Sequence, residues 1–259
     1  MMRVDRLNKM EELLEEVESV SMDKLNEIFQ VSLSTLHRDL AELEKRGLIK
    51  KTYGGIVLKR HQAPEPFSLR NIKHQKQKMM IAKVASRLVA DGDVIYIDSG
   101  TTTMHLIPYL AAKKNITIIT ANVHVINACT LYQQMNVIVT GGLFYPPANT
   151  FVGADVIRCL RNYNISKTFF AAAGFSIENG VTSDSPLECE IKQYLAEIEQ
   201  EKILLAGSSK VGTTSLMTFC QLKDIDYLIM DQKPPQAYLE HFARHQVKLL
   251  TSDTEEIDS

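Results

Sequence analysis

Apolar residues at the start of the chain recur every three or four positions. Leu7, Met10, Leu13, Leu14 and Val17 form one stripe of an amphipathic helix over residues 4–17 whose other side is acidic. Ser21 then suits the N-cap of a short helix with Leu25, Ile28 and Phe29 inward, and Gln30 and Val31 mark a turn. Ser32 caps a third helix whose buried face is Leu33, Leu36, Leu40 and Leu43, leaving Ser34, Thr35, His37, Arg38 and Ala41 outward. Gly47 stops it, and residues 48–53 and 56–58 around Gly54 and Gly55 read as a hairpin. The pattern predicts a winged helix-turn-helix over residues 1–58, with the third helix for base recognition and the hairpin as wing.

Pro64 and Pro66 interrupt the periodicity, which places a linker at residues 59–75. Beyond it the pattern changes to short apolar runs at 94–97, 116–119, 137–139, 168–172, 203–206 and 227–230, with helical stretches at 79–88, 104–112, 123–132, 153–161 and 188–198. Alternation of buried strand and helix predicts an α/β domain over residues 76–259, a mainly parallel sheet covered on both faces.

A length of 259 residues accommodates two domains, and 45% hydrophobic with 23% charged residues is ordinary globular composition. No run nears the roughly 20 apolar residues that span a bilayer. The opening Met1-Met2-Arg3-Val4 has no signal-peptide core, so a cytoplasmic location is expected. Cys129, Cys159, Cys189 and Cys220 lack any CxxC pairing and read as buried, reduced thiols; His105, His124, His241 and His245 have no ligand spacing. No metal or cofactor is expected.

The net charge of -2 hides a local imbalance. Lys45, Arg46, Lys50, Lys51, Lys59, Arg60, Arg70, Lys73, Lys76 and Lys78 stand against the single acid Glu65, a balance suited to a phosphate backbone.

Ligands of open α/β sheets sit beyond the carboxyl ends of the strands. The first such end is Asp98-Ser99-Gly100-Thr101-Thr102-Thr103, a glycine among hydroxyls where a helix begins; its spacing suits an anion cradle and simple helix capping equally. Other strand ends supply Thr120, Asn122, Gly141, Gly142, Gly174 and Ser208-Ser209-Lys210. Lys210 is either a partner for a phosphate or a solvated cation. Glu188 and Lys192, four apart on a helix, are either an intrahelical pair or two groups facing one cleft. No Ser/His/Asp order, HExxH motif or Walker loop occurs.

Two sets of motifs, in order along nearly the whole chain, resemble the DeoR family of bacterial transcriptional regulators. The first runs from Val31-Ser32-Leu33-Ser34-Thr35-Leu36-His37-Arg38-Asp39-Leu40 through Gly47-Leu48-Ile49 to Tyr53-Gly54-Gly55. The second comprises Asp91-Gly92-Asp93, Asp98 to Thr103, Gly141-Gly142, Gly180-Val181-Thr182, Ser208-Ser209-Lys210 and Asp224-Ile225-Asp226. The resemblance implies a sensor domain with a ribose-5-phosphate isomerase-like fold that binds a phosphorylated sugar or related metabolite. By position, Ser99, Gly100, Thr101, Thr102 and Thr103 would hold the phosphate, with Lys210 and the region of Glu188 and Lys192 closing the site, to which Asp98, Asn122 and Gly142 also belong. Ser32, Ser34, Thr35, His37 and Arg38 would meet operator DNA, with Lys50, Lys51 and Tyr53 on its backbone.

The implied role is repression of a sugar uptake or catabolism operon by a homo-oligomer reading two half-sites, relieved by the effector. Activation, or a sugar-phosphate isomerase with an accessory DNA module, are the competing readings. The stretch Phe170-Ala171-Ala172-Ala173-Gly174 contains no carboxylate where the isomerases have an acidic cluster, which argues against an enzyme. Three positions depart from the family pattern. His37 stands where an arginine is usual, which removes a bidentate guanine reader and implies either a changed base preference or a pH-sensitive contact; Ala121 and Gly207 replace an asparagine and an aspartate.

Overall fold

The computed structural model describes residues 6, 7, 9, 10, 13, 19–45, 49–52, 55–58 and 67–252. The chain divides into two compact units, Met1–Ala63 and Pro64–Ser259.

In the first unit the order is β1 (Ser19–Ser21), α1 (Met22–Phe29), α2 (Leu33–Lys45), β2 (Ile49–Thr52) and β3 (Gly55–Leu58). The capping chemistry is local. Ser21 accepts a hydrogen bond from the Lys24 N–H at 3.2 Å, and Gln30, left-handed at φ 50°, closes α1 by donating to the Asn26 carbonyl at 2.9 Å. Ser32 Oγ accepts from the Thr35 N–H at 3.3 Å. Leu7, Met10, Leu25, Phe29, Leu36, Leu40, Leu43, Ile49 and Ile56 pack into one core.

Two residues expected inside are not. Ile28 is 43% exposed because Leu25 and Phe29, one turn apart, already fill the narrow inner stripe of an eight-residue helix. Leu33 is 55% exposed because it is the first residue of α2, ahead of the turn that meets the core. The expected hairpin is joined by a strand the pattern did not show, since β1 is only three residues long; the sheet order is β1-β3-β2. This close third strand explains Gly55. A Cβ there would stand 2.5 Å from the Val20 carbonyl oxygen. Arg6 and Asp39, both buried, form an ion pair at 2.6 Å. The expected helix stop at Gly47 and hairpin residues Tyr53 and Gly54 lie outside the described residues.

The second unit is α/β, as the apolar runs predict. Its central sheet has seven strands, all parallel: β4 (Val94–Ile97), β5 (Thr117–Thr120), β6 (Asn136–Val139), β9 (Lys167–Ala171), β12 (Glu201–Leu205), β14 (Tyr227–Ile229) and β15 (Lys248–Leu250), in the order β15-β14-β12-β9-β4-β5-β6. Alternate side chains enter opposite cores. Tyr96, Phe170, Leu204 and Leu228 pack on one face, and Ile95, Ile97, Phe169, Ile203, Leu205 and Ile229 on the other. This two-sided burial is why the inner strands read as continuous apolar runs, whereas the edge strand β6 is only partly buried, with Val139 43% exposed.

The flanking helices are α3 (Phe67–Ile72), α4 (Gln75–Ala85), α5 (Ile107–Leu110), α6 (Val123–Cys129), α7 (Ala154–Leu160), α8 (Pro186–Glu197) and α9 (Gln236–His245). Alongside them stand a small antiparallel sheet, β10 (Gly174–Ser176), β11 (Gly180–Ser183) and β13 (Met217–Cys220), and a hairpin, β7 (Leu143–Tyr145) with β8 (Thr150–Val152). These short segments, rich in Gly, Ser and Thr in β10 and β11, carry too little pattern to be read from sequence. His241 and His245 do fall on one helix, with ring centroids 4.5 Å apart.

Of the expected linker, residues 59–75, residues 59–66 lie outside the described residues and the rest differs from the structure. Phe67–Ile72 is helix within the second unit, and Phe67, 2% exposed, stacks on His124 with centroids 4.1 Å apart. Phe67 is the buried residue of a helix only six residues long, which is too short to give a periodic signal. All four cysteines are free; Cys129 and Cys189 are buried as expected, while Cys159 and Cys220 are partly exposed. Among the described residues no helix is long and apolar enough to cross a membrane, and no cluster of acidic, His and Cys residues suits a metal.

Candidate functional site

The carboxyl ends of β4 and β9 lie side by side at the middle of the sheet, and α8 is tied to both. Asp98, just past β4, is 3% exposed; its Oδ2 accepts from the Ala171 N–H at 2.9 Å and pairs with Lys192 Nζ. Lys192 Nζ also donates to the Ala171 carbonyl at 2.8 Å. Glu188, one turn earlier on α8, accepts from Ser99 Oγ. The four-residue spacing therefore serves two contacts across the chain, both facing the strand ends.

Burial pushes the Glu188 carboxyl up from its ordinary value of 4.5, against the opposing pull of Lys192 and of the Ser99 hydrogen bond. Burial, reinforced by Asp98 and Glu188, likewise raises Tyr96. Ser99 Oγ is also 3.3 Å from Asp98 Oδ1, but its one proton serves a single carboxylate at a time.

Several expected effector residues hold the loop rather than line a cavity. Thr103 is fully buried, its Oγ1 2.7 Å from the Asp98 carbonyl and 3.0 Å from that of Gly100. Asn122 is fully buried and caps α6, accepting from the His124 N–H at 2.8 Å. Gly142, at φ 109°, has a backbone role: a Cβ would come within 2.8 Å of the Val152 carbonyl oxygen. Gly100 is needed for a close approach, since a Cβ there would lie 2.1 Å from that of Ala171.

A cavity of about 510 Å3 opens above this layer. Gly100, Thr101, Thr102, Ala171 and Ala172 line one side, and Gly207, Ser208, Ser209 and Lys210 another. Arg70, Lys73, His74 and Lys78, from α3, α4 and the turn between them, line a third. Next to it is a cleft of about 20 Å3, lined by Ser99, Ser183, Asp184, Glu188 and Lys192 and sharing Arg70, Gly100, Ala171 and Ala172 with the cavity. Asp98, Thr103, Asn122 and Gly142 line neither.

Arg70, Lys73 and Lys78 are the residues whose place sequence reasoning missed. They were expected to sit on a DNA backbone, and instead they surround this cavity. A basic run looks the same whichever way it faces. Asp231 is the acidic residue of the lining; its carboxylate accepts from the Ser208 N–H at 2.7 Å and lies 3.1 Å from Ser208 Oγ. A carboxylate thus stands beside Gly207 although that position lacks one.

In the first unit the outward face of α2 is as expected. Ser34, His37, Arg38 and Ala41 are exposed and Thr35 half-buried. Ser32 Oγ lies 3.0 Å from Ser34 Oγ and 2.9 Å from Thr35 Oγ1, beside its capping bond, so it organises the start of this face. Lys50 and Lys51 lie on β2, and Tyr53 is outside the described residues.

A helix-turn-helix with an exposed polar recognition face in one unit, and a cation-lined cavity at the carboxyl ends of a parallel sheet in the other, define a DNA-binding transcriptional regulator with a sensor domain. The chain matches the DeoR-like helix-turn-helix domain over residues 6–62 and the DeoR C terminal sensor domain over residues 73–232. It belongs to the DeoR family. It is 36% identical over 246 residues to the HTH-type transcriptional regulator IolR of Bacillus subtilis, spanning 95% of this chain and 98% of that protein. With the HTH-type transcriptional regulator GolR of Listeria innocua it shares 30% identity over 239 residues, 92% of this chain and 94% of the other. Among solved structures, ribose 5-phosphate isomerase A from Methanocaldococcus jannaschii aligns at 16% identity with a TM-score of 0.38, over 54% of this chain and 55% of that one.

Proposed function

We propose that the protein is a cytoplasmic repressor of a sugar uptake or catabolism operon, and that a phosphorylated sugar or related metabolite in the sensor cavity alters its DNA affinity. The observation that carries this reading is the lining of the cavity: Gly100, Thr101 and Thr102 with Arg70, Lys73, Lys78 and Lys210, against the one carboxylate of Asp231. Such a lining favours a ligand that brings negative charge, and a cavity of about 510 Å3 is of metabolite size. Ser99, Glu188 and Lys192 in the adjoining cleft would meet its hydroxyl groups.

On the DNA side, Ser34, Thr35, His37 and Arg38 would face base edges in the major groove, with Lys50, Lys51 and Tyr53 toward phosphates. Arg38 is the one guanidinium on that exposed face, so it is assigned the bidentate contact to guanine. Arg38→Ala should cost about 1–3 kcal/mol of discrimination; equal ratios of operator to random-DNA affinity in variant and wild type would remove the assignment. Two half-sites would be read by a homo-oligomer. The two ligands are coupled by one reciprocal free energy, so operator DNA changes effector affinity by the same factor.

A screen of phosphorylated sugars by thermal shift tests the sensor. A ligand at 100 times its Kd stabilises by about 2.7 kcal/mol, and an active effector should also change operator affinity in a titration. Turnover of a sugar phosphate by the purified protein would instead support the isomerase alternative.

A further inference from the structure

Arg70, Lys73 and Lys78 stand apart from the strand-end residues of the cavity lining in their place along the chain. They lie on the α3–α4 helix pair, and α3 begins at Phe67, four residues after the first unit ends at Ala63. Of the remaining lining, His74, Gln77 and Ile81 belong to the same turn and helix, and the rest comes from strand ends of the sheet domain.

The two helices are held unequally. α4 sinks Ile81, Ala82, Val84 and Ala85 into the core. α3 buries Phe67 against His124, while its Leu69 and Ile72 are 48% and 67% exposed. Between them His74 is left-handed, at φ 54° and ψ 35°, with no side-chain cap. For a residue with a Cβ that conformation is uncommon and costs about 1–2 kcal/mol, so contacts that hold the turn matter. One such restraint is visible: Lys78 Nζ, on α4, donates to the carbonyl of Arg70, in the last turn of α3. Arg70 also extends over the Phe67 ring, 5.9 Å from its centroid, and reaches both the cavity and the cleft.

We propose that the α3–α4 pair is the element through which the effector acts on DNA binding: an anion in the cavity engages Arg70, Lys73 and Lys78, draws on the Lys78 bond to α3, and shifts α3 about the His74 turn. Because α3 is the first helix among the described residues after Ala63, where the DNA-binding unit ends, its shift moves the point where the connecting chain starts. This rests on the reading that the cavity takes an anionic effector. It adds which residues sense the charge and where the response leaves the domain.

The test uses the full chain with two probes, inorganic phosphate and glucose 6-phosphate, and a duplex that the protein itself selects from random sequence. Hydrogen exchange of residues 67–85 with and without each probe, probe affinity by calorimetry, and duplex affinity by fluorescence anisotropy are the readouts. In the wild type the better probe should slow exchange across residues 67–78 and change duplex affinity about tenfold. Arg70→Gln and Lys73→Gln should weaken that probe about tenfold each, with Arg70→Lys recovering part of the loss. His74→Gly, which relieves the left-handed restraint, should change the duplex response at saturating probe at least threefold; saturation separates this from any change in probe affinity, since His74 also lines the cavity.

Unaltered probe binding in both Gln variants would overturn the cationic wall. An unaltered response in His74→Gly, with exchange at 67–78 indifferent to the bound probe, would overturn the hinge while leaving the effector reading intact. If the wild type bound neither probe, the anionic-effector reading would fall first and this inference with it.

Discussion

Lys192→Met separates the buried scaffold of the sensor site from its surface charges. The Lys192 and Asp98 side chains are 6% and 4% exposed, so solvent does little to screen either. Met retains most of the aliphatic stem and deletes the ammonium, whose nitrogen lies 5.4 Å from the centroid of the Phe219 ring. Asp98 is then left with the Ala171 N–H at 2.9 Å and Ser99 Oγ at 3.3 Å, and the Ala171 carbonyl loses a donor at 2.8 Å. Removing one partner of a buried pair costs about 3–5 kcal/mol, chiefly because the remaining charge has no compensation. In a domain of this size each kcal/mol lowers Tm by roughly 2–4 °C, so the expected fall is about 6–20 °C. Thermal unfolding followed by circular dichroism at pH 7 and fixed protein concentration measures it. Combining Lys192→Met with Asp98→Asn should recover a large part of the loss, since no buried charge then stands alone. A fall under about 2 °C in the single variant, or a double variant that loses the sum of both singles, would refute the reasoning.

Glu188→Gln should change the pH dependence of stability. Burial raises the folded carboxyl above 4.5, so the folded state keeps a proton that the unfolded state releases; this disfavours folding progressively as pH rises from about 4.5 through the folded value. Relative to wild type, the Gln variant should therefore gain stability with rising pH over that window, and parallel Tm profiles from pH 4 to 8 would contradict it. Gly100→Ala puts a Cβ 2.1 Å from that of Ala171 and should cost about 1–3 kcal/mol by overpacking. Adding Ala171→Gly should restore most of it in denaturant unfolding, whereas no rescue would mean that the clash lies elsewhere.

The periodic parts of the chain could be read without a structure because their cause is local or repeated. Ser21 and Ser32 cap with their own side chains, and Leu36, Leu40 and Leu43 mark one face of a helix whichever core they meet. The parallel strands were legible for a related reason: burial on both faces demands unbroken apolar runs such as Val94-Ile95-Tyr96-Ile97. Likewise the strand-end rule pointed to Gly100, Thr101, Thr102 and Lys210, which do line one cavity.

What the sequence left open depended on direction and on distance along the chain. Its motifs could not say that Asp98 meets Lys192 across 94 positions, or that Thr103, Asn122 and Gly142 spend their polar groups and backbone freedom on holding the loops. Nor could a count of charges tell that Arg70, Lys73 and Lys78 turn toward a cavity. The sequence by itself determined which segments become helix and strand and that one part suits DNA, because those follow from periodicity, caps and composition. Tertiary structure alone decided which polar groups are consumed by the fold and which line open space, because that choice is made by neighbours brought together only when the sheet closes.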